Sequence, residues 1–485
     1  MKLTAHMIGA ALALCALAAP AAARQQTPPP DVVKRVEDFV RLVNTGDRKG
    51  ARAYVEQHFT PAALQRVPVA QRLNTIWRIQ DETRGMELHS VRESKPQEAA
   101  ALFRNKLTGN WEELIYIFEK DPPHRIERFG VRSAKAPEGA AAAPRKLTEE
   151  EAARELDAYL KRLADADVFS GAVLLARDGK VIFARAYGEA NKDFRAPNRL
   201  DTKFNLGSMN KMFTAVAVAQ LAEAGKLSFD DPLSKFLPDF PDKDGAQKIK
   251  IKHLLTHSSG LGSYFNEQYW RGSRDRFRTV DEFMELAKGE TLQFEPGTKT
   301  AYSNTGFLVL GKVIEKASGQ NYFDYVREYI YKRAGMTGSD SYDLDRVNPN
   351  LAVGYEKEYT DDGITFSNNV FAHVIRGGPA GGGYSTAEDL LRFDQALRAG
   401  RLVGAEYVKQ LLAPRPELNS PEYGYGFGLD PAARIAGHSG GFLGINSNLD
   451  MFLGSGHTAV VLSNYGNAAG PVADKLRAVV AALTK

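Results

Sequence analysis

Phe204-Asn205-Leu206-Gly207-Ser208-Met209-Asn210-Lys211 sets a serine three residues ahead of a lysine, at the head of a long apolar run over 212–224 (MFTAVAVAQLAEA). That run is apolar nearly all round, which predicts a helix buried in a domain core. Three residues along a helix return to the same face, so the Lys211 ammonium can reach the Ser208 hydroxyl. A helix start also offers backbone N–H groups and a positive dipole end, where a developing oxyanion is stabilised. Alone, the spacing is weak, because serine and lysine are common; read plainly, Ser208 is an N-cap and Lys211 a solvated first-turn residue. The buried helix behind them raises the signal.

Two further stretches carry chemistry. Residues 294–311 read FEPGTKTAYSNTGFLVLG, with Tyr302 and Asn304 two apart and able to face one way in extended chain. A nearby lysine cation favours the phenolate, so Tyr302 is expected to take and return a proton. Read plainly, Tyr302 is a core aromatic and Asn304 an N-cap. Gly437-His438-Ser439-Gly440-Gly441 matches G-x-S-x-G, but residues 442–453 (FLGINSNLDMFL) alternate like a strand where a nucleophile elbow needs a helix. We expect this stretch to be a strand edge lining the cleft opposite Ser208, with the Gly441 N–H as a second oxyanion donor.

In this order, Ser208-x-x-Lys211, Tyr302-x-Asn304 and His438-Ser439-Gly440 resemble the motifs of the serine β-lactamase and penicillin-binding-protein superfamily. The nearest branch is the class C-like group of family VIII esterases, D-amino-acid peptidases and related exported hydrolases. Segments 225–232 (GKLSFDDP), 253–262 (HLLTHSSGLG) and 377–390 (GGPAGGGYSTAEDL) extend the likeness. The resemblance implies an antiparallel sheet flanked by helices, with an all-helical subdomain. It also implies Ser208 as the acylated nucleophile, Lys211 as its activator, Tyr302 as general base and acid, and Asn304, His438, Ser439, Gly440 and Gly441 as substrate contacts. Where the family carries Lys-Thr-Gly, this chain has His438-Ser439-Gly440, so a permanent cation for a substrate carboxylate is replaced by a histidine that is mostly neutral at pH 7. Ester or peptide hydrolysis is therefore expected ahead of strong β-lactamase activity. The competing reading is a non-catalytic peptidoglycan- or peptide-binding protein that keeps the fold, for which serine, lysine and tyrosine at these spacings are not needed.

The 485 residues suit two domains. Charge is well mixed, 63 basic against 59 acidic residues, so no nucleic-acid footprint shows. Residues 1–23 read as a cleaved signal peptide: Lys2, a short apolar run over 7–17 and Ala21-Ala22-Ala23. The expected location is periplasmic or secreted, with no membrane span. Cys15, the only cysteine, lies inside that segment, and Leu14 before it weighs against a lipoprotein signal. Residues 31–133 read as helices followed by four short strands, a small α+β domain similar in element order to NTF2-like or cystatin-like proteins. Its histidines His58, His89 and His124 form no constellation. Residues 134–147 read as an Ala/Pro-rich linker, and 148–485 as the hydrolase domain, with strands at both its ends. His253 and His257 have metal-site spacing, but Leu254 replaces the needed glutamate, so no metal or other cofactor is expected. Gly381-Gly382-Gly383 lacks a phosphate-loop lysine and reads as a flexible approach, with Ser385 and Glu388, to a capped helix. The partner expected is a small-molecule or peptide substrate, cell-wall fragments among the candidates.

Overall fold

The structure, a computed structural model, describes residues 28–137, 139, 145–360 and 363–484. The signal segment with Cys15 and the middle of the linker lie outside the described residues. The chain divides into two compact units, one ending at Ala136 and one beginning at Pro137.

The first unit has helices Pro30–Thr45, Arg48–His58, Pro61–Arg66 and Val69–Thr83, then an antiparallel meander of four strands from Met86–Lys95 to Ile126–Ser133. Gly46, left-handed at φ 66°, closes the first helix, as a glycine can at no steric cost. Helix Arg48–His58 buries only Ala51, Tyr54 and Val55, a narrow stripe at i, i+3 and i+4. The core is aromatic, with Phe39 edge-on to Tyr116 at 6.0 Å. The histidines serve structure: His58 accepts from Arg35, His124 meets Asp31 at 3.0 Å and His89 sits edge-on to Trp111.

In the second unit Thr148 and Glu151 form a reciprocal capping box that starts helix Glu149–Asp165. Six antiparallel strands follow in the spatial order Gly428–Asp430, Ile435–Phe442, Ile445–Phe452, His457–Ser463, Gly171–Arg177 and Lys180–Tyr187. The sheet is thus assembled from the two ends of the unit. Asp178 and Gly179 both take positive φ in the turn of the Gly171–Tyr187 hairpin, as a two-residue connection between twisted strands requires. The wholly apolar run becomes helix Asn210–Glu223, with every residue from Asn210 to Ala222 buried. Helix Asn304–Ser318 packs against it. A two-stranded ribbon, Tyr355–Thr360 with Gly363–Asn368, joins the helices between the sheet's two ends. Among the described residues no helix is long and apolar enough to cross a membrane.

Candidate active site

Ser208 stands on a 3-10 turn, Gly207–Met209, one step before the helix, and its hydroxyl caps nothing. Asn205 fixes that turn: its side-chain carbonyl accepts from the Gly207 N–H at 2.9 Å and its amide donates to the Gly382 carbonyl at 3.2 Å. The glycine run 377–383 is pressed against it, with the Gly382 N–H on the Gly207 carbonyl and the Leu206 N–H on the Gly383 carbonyl. A Cβ on Gly377 would sit 2.1 Å from the Gly382 carbonyl carbon, so this loop is packed rather than flexible. Thr386, not Ser385, caps the helix beyond it.

Lys211 is wholly buried. Its Nζ lies 3.1 Å from Ser208 Oγ, 2.9 Å from Asn304 Oδ1 and 2.6 Å from the Ala380 carbonyl. No carboxylate pairs with it among the described residues, and burial holds its pKa well below the ordinary 10.5. The amine donates to three acceptors, the Asn304 and Ala380 carbonyl oxygens and the Ser208 hydroxyl, with no counter-charge among them. Ala380 contributes through its backbone, so no side-chain pattern announces it.

Tyr302 is half exposed at 50%, which removes the core-aromatic reading. Burial around its hydroxyl pushes its pKa up to about 12, and a hydrogen bond with Ser208 opposes the rise. Burial thus moves the two groups in opposite directions, raising the tyrosine and lowering the lysine, so both are pushed toward their neutral forms. Asn304 is the first residue of its helix, and Ser303 is the cap, accepting from the Gly306 N–H at 2.8 Å. Asn304 is thus free to bridge Lys211 and Ser263 Oγ, 3.1 Å away.

Residues 437–441 run straight through strand Ile435–Phe442, with no elbow. Pairing with the outer strand ends at Gly437, which leaves the edge from His438 to Phe442 without a strand partner. This edge abuts the serine turn: the Gly441 nitrogen lies 2.9 Å from where a Gly207 Cβ would stand, and a Gly440 Cβ would meet the Leu206 carbonyl at 1.9 Å. Gly207, at φ 52°, could not be another residue without moving the strand. Ser208, Tyr302, Asn304 and Gly441 line one cleft of about 180 Å³.

The remaining expected contacts are corrected. His438 is buried, its Nε2 accepts from the Tyr423 hydroxyl at 2.9 Å, and its Nδ1–H donates to the Ser439 carbonyl at 2.5 Å. Burial lowers its pKa to about 4, so it is neutral and turned away from the cleft. Ser439 is exposed but outside the lining, and Gly440 serves close packing. Sequence reasoning missed His257, whose ring lies 4.3 Å from that of Tyr302 and whose Nδ1 accepts from the Ser303 N–H at 3.1 Å. His253 accepts from the Lys250 N–H, and the described residues hold no metal-binding cluster.

Comparison with known proteins completes the description. The Beta-lactamase family matches residues 155–484. Penicillin-binding protein 4* of Bacillus subtilis is 31% identical over 331 residues, covering 64% of this chain and 71% of its own. Teichoic acid D-alanine hydrolase of Staphylococcus aureus is 28% identical over 292 residues, 60% of this chain and 68% of its own. The crystal structure of a penicillin binding protein from Bacillus halodurans superposes with a TM-score of 0.60 at 32% identity, covering 66% of this chain and 99% of that one.

Proposed function

The chain belongs to the Beta-lactamase family and is a serine hydrolase of that family, and from this premise we propose that it is an exported enzyme that forms an acyl-enzyme at Ser208 while cleaving an ester or amide. The observation that carries the reading is the Lys211 shell, in which two acceptors occupy the amine and the serine oxygen stands 3.1 Å away. Neutral Lys211 takes the Ser208 proton as Oγ attacks the substrate carbonyl. The oxyanion forms between the Ser208 and Gly441 N–H groups. Tyr302, protonated at neutral pH, donates to the leaving-group oxygen or nitrogen. The proton on Lys211 then passes back to Tyr302, whose ring centre is 4.8 Å from Nζ. Water then attacks the acyl carbon as its proton passes through the Tyr302 hydroxyl to neutral Lys211, and the resulting ammonium returns a proton to Ser208 Oγ as the acid leaves. The N-terminal segment of the sequence supports a periplasmic or secreted location.

Intact-mass analysis after exposure to an activated fluorophosphonate, with a labelled penicillin in parallel, tests the assignment. One adduct is expected on the wild-type chain and none on Ser208→Ala, whereas Ser439→Ala should label and lose no more than about tenfold to a hundredfold in turnover. A label on Ser439, or none at all, would sink the reading.

A further inference from the structure

The cleft in front of Ser208 contains no aspartate, glutamate, lysine or arginine in its lining. Its one titratable ring besides the tyrosines is His373, which burial holds neutral with a pKa lowered to about 4. One guanidinium, Arg274, stands behind the wall: it sits over the Tyr269 and Trp270 rings, hydrogen-bonds the lining residue Tyr269 and donates to the backbone carbonyls of Phe371 and Trp270, but is not itself a lining residue.

What the cleft offers instead is aromatic surface. Phe442, next in the strand after the oxyanion candidate Gly441, stacks on Phe265 at 5.5 Å and on Trp270 at 6.0 Å with planes 8° apart, and meets His373 at 5.3 Å. Tyr264 and Val374 continue the wall. Outside it the apolar surface runs on: Trp270 is 45% exposed, Leu443 43% and Phe371 89%. Arg274 ties Trp270 to Phe371, and Asn369 donates to the Leu443 carbonyl. Large apolar side chains left in water around a reactive serine mark surface that a ligand covers.

Resting on the acyl-enzyme reading above, we infer that the substrate is an uncharged ester or amide carrying an aromatic or branched apolar group beside the scissile carbonyl, seated against Phe265 and Phe442. A substrate carboxylate would lose its hydration here and meet no cation in the lining, because Lys211 is buried behind Ser208, His438 is turned away and Arg274 is engaged behind Tyr269 with the Phe371 and Trp270 carbonyls. A ring in the same place exchanges water for stacked aromatic faces. The discrimination expected for filling or emptying such a pocket is roughly tenfold to a hundredfold in kcat/KM.

The test uses the full-length protein and four esters followed by pH-stat titration: ethyl butanoate, ethyl 3-phenylpropanoate, benzyl acetate and monoethyl succinate. One phenyl-bearing ester or both should exceed ethyl butanoate by about tenfold or more, with the succinate ester below it. Phe442→Ala and Phe265→Ala should each bring the kcat/KM ratio of phenyl ester to ethyl butanoate down to near one. Fluorophosphonate labelling of Ser208 in every variant verifies that the site is intact. Labelled enzyme with no phenyl preference, or a preference that survives both substitutions, overturns the inference and leaves the acyl-enzyme reading standing. Absence of label from the wild-type chain overturns both.

Discussion

Replacing Tyr302 with phenylalanine should separate substrates by their leaving groups. With a pKa of about 12, the Tyr302 hydroxyl lies 5 units above neutral pH, so forming the phenolate before reaction costs about 7 kcal/mol at 1.36 kcal/mol per unit. The ring is half exposed, and solvent screening brings that figure toward the roughly 4 kcal/mol of an ordinary tyrosine. Either sum leaves the phenolate scarcely populated at neutral pH, whereas Lys211, its pKa pushed down by burial, already stands 3.1 Å from Ser208 Oγ. The remaining task for the hydroxyl is to donate a proton where a basic leaving group departs. Tyr302→Phe should lower kcat/KM for ethyl esters by about a hundredfold to ten-thousandfold, the scale of general acid catalysis. For 4-nitrophenyl esters, whose leaving group needs no proton, the loss should stay under about tenfold. The assay is steady-state kinetics on paired ethyl and 4-nitrophenyl esters of one acid between pH 6 and 10. Equal losses for the two leaving groups, or an alkaline limb of activity that vanishes in the variant, would refute the assignment and return the base to Tyr302. The fold should survive, since His257 still flanks the ring position.

Other perturbations follow from the same geometry. Lys211→Met should abolish acylation and change the pH dependence of stability: because the folded pKa is depressed below 10.5, the unfolded chain binds the extra proton, and wild-type stability should rise with pH through that window while the variant lacks this slope in urea titrations. The wild-type rate on neutral esters should likewise climb as Lys211 deprotonates and then level. For His438, lowered to about 4 from 6.5, the unfolded chain again binds more protons; its contribution is intact above pH 6.5 and lost as pH falls through 4, about 3 kcal/mol in all, which His438→Gln should remove from the acid limb of denaturant titrations. Neutral and carboxylate-bearing esters should therefore show parallel rate profiles between pH 5.5 and 8. Gly440→Ala should displace the strand edge from the Leu206 carbonyl, destabilise by about 1–3 kcal/mol and cut acylation more than substrate binding, read by single-turnover kinetics.

The serine–lysine pair was legible because one turn of helix fixes both residues within a local span, and the two-ended sheet was legible from strand patterns near residues 171 and 457. The Tyr302 and Asn304 pairing was visible for the same local reason. What escaped depends on distant chain. Whether His438 faces in or out is decided by its register opposite Leu449, and a one-residue slip would reverse it. The charge of Lys211 follows from how completely the 377–383 loop and helix Asn304–Ser318 bury it, which no spacing states. The Ala380 carbonyl has no side chain to betray it. Phe265 and Phe442 read as ordinary apolar residues until the fold stacks them at the cleft.

The strand order also sets a timetable. His457–Ser463 pairs with Gly171–Arg177, and Gly441 completes the cleft around a serine made more than two hundred residues earlier in synthesis. A growing chain therefore carries the nucleophile, its lysine and its tyrosine long before the central strands exist. Closing so long a loop is entropically slow, and the first hairpin meanwhile has an unpaired edge. Hydrolytic competence must switch on last, with the final strands, so removing even the C-terminal strand and helix Ala469–Leu483 should leave a chain that has every reactive side chain and no active site.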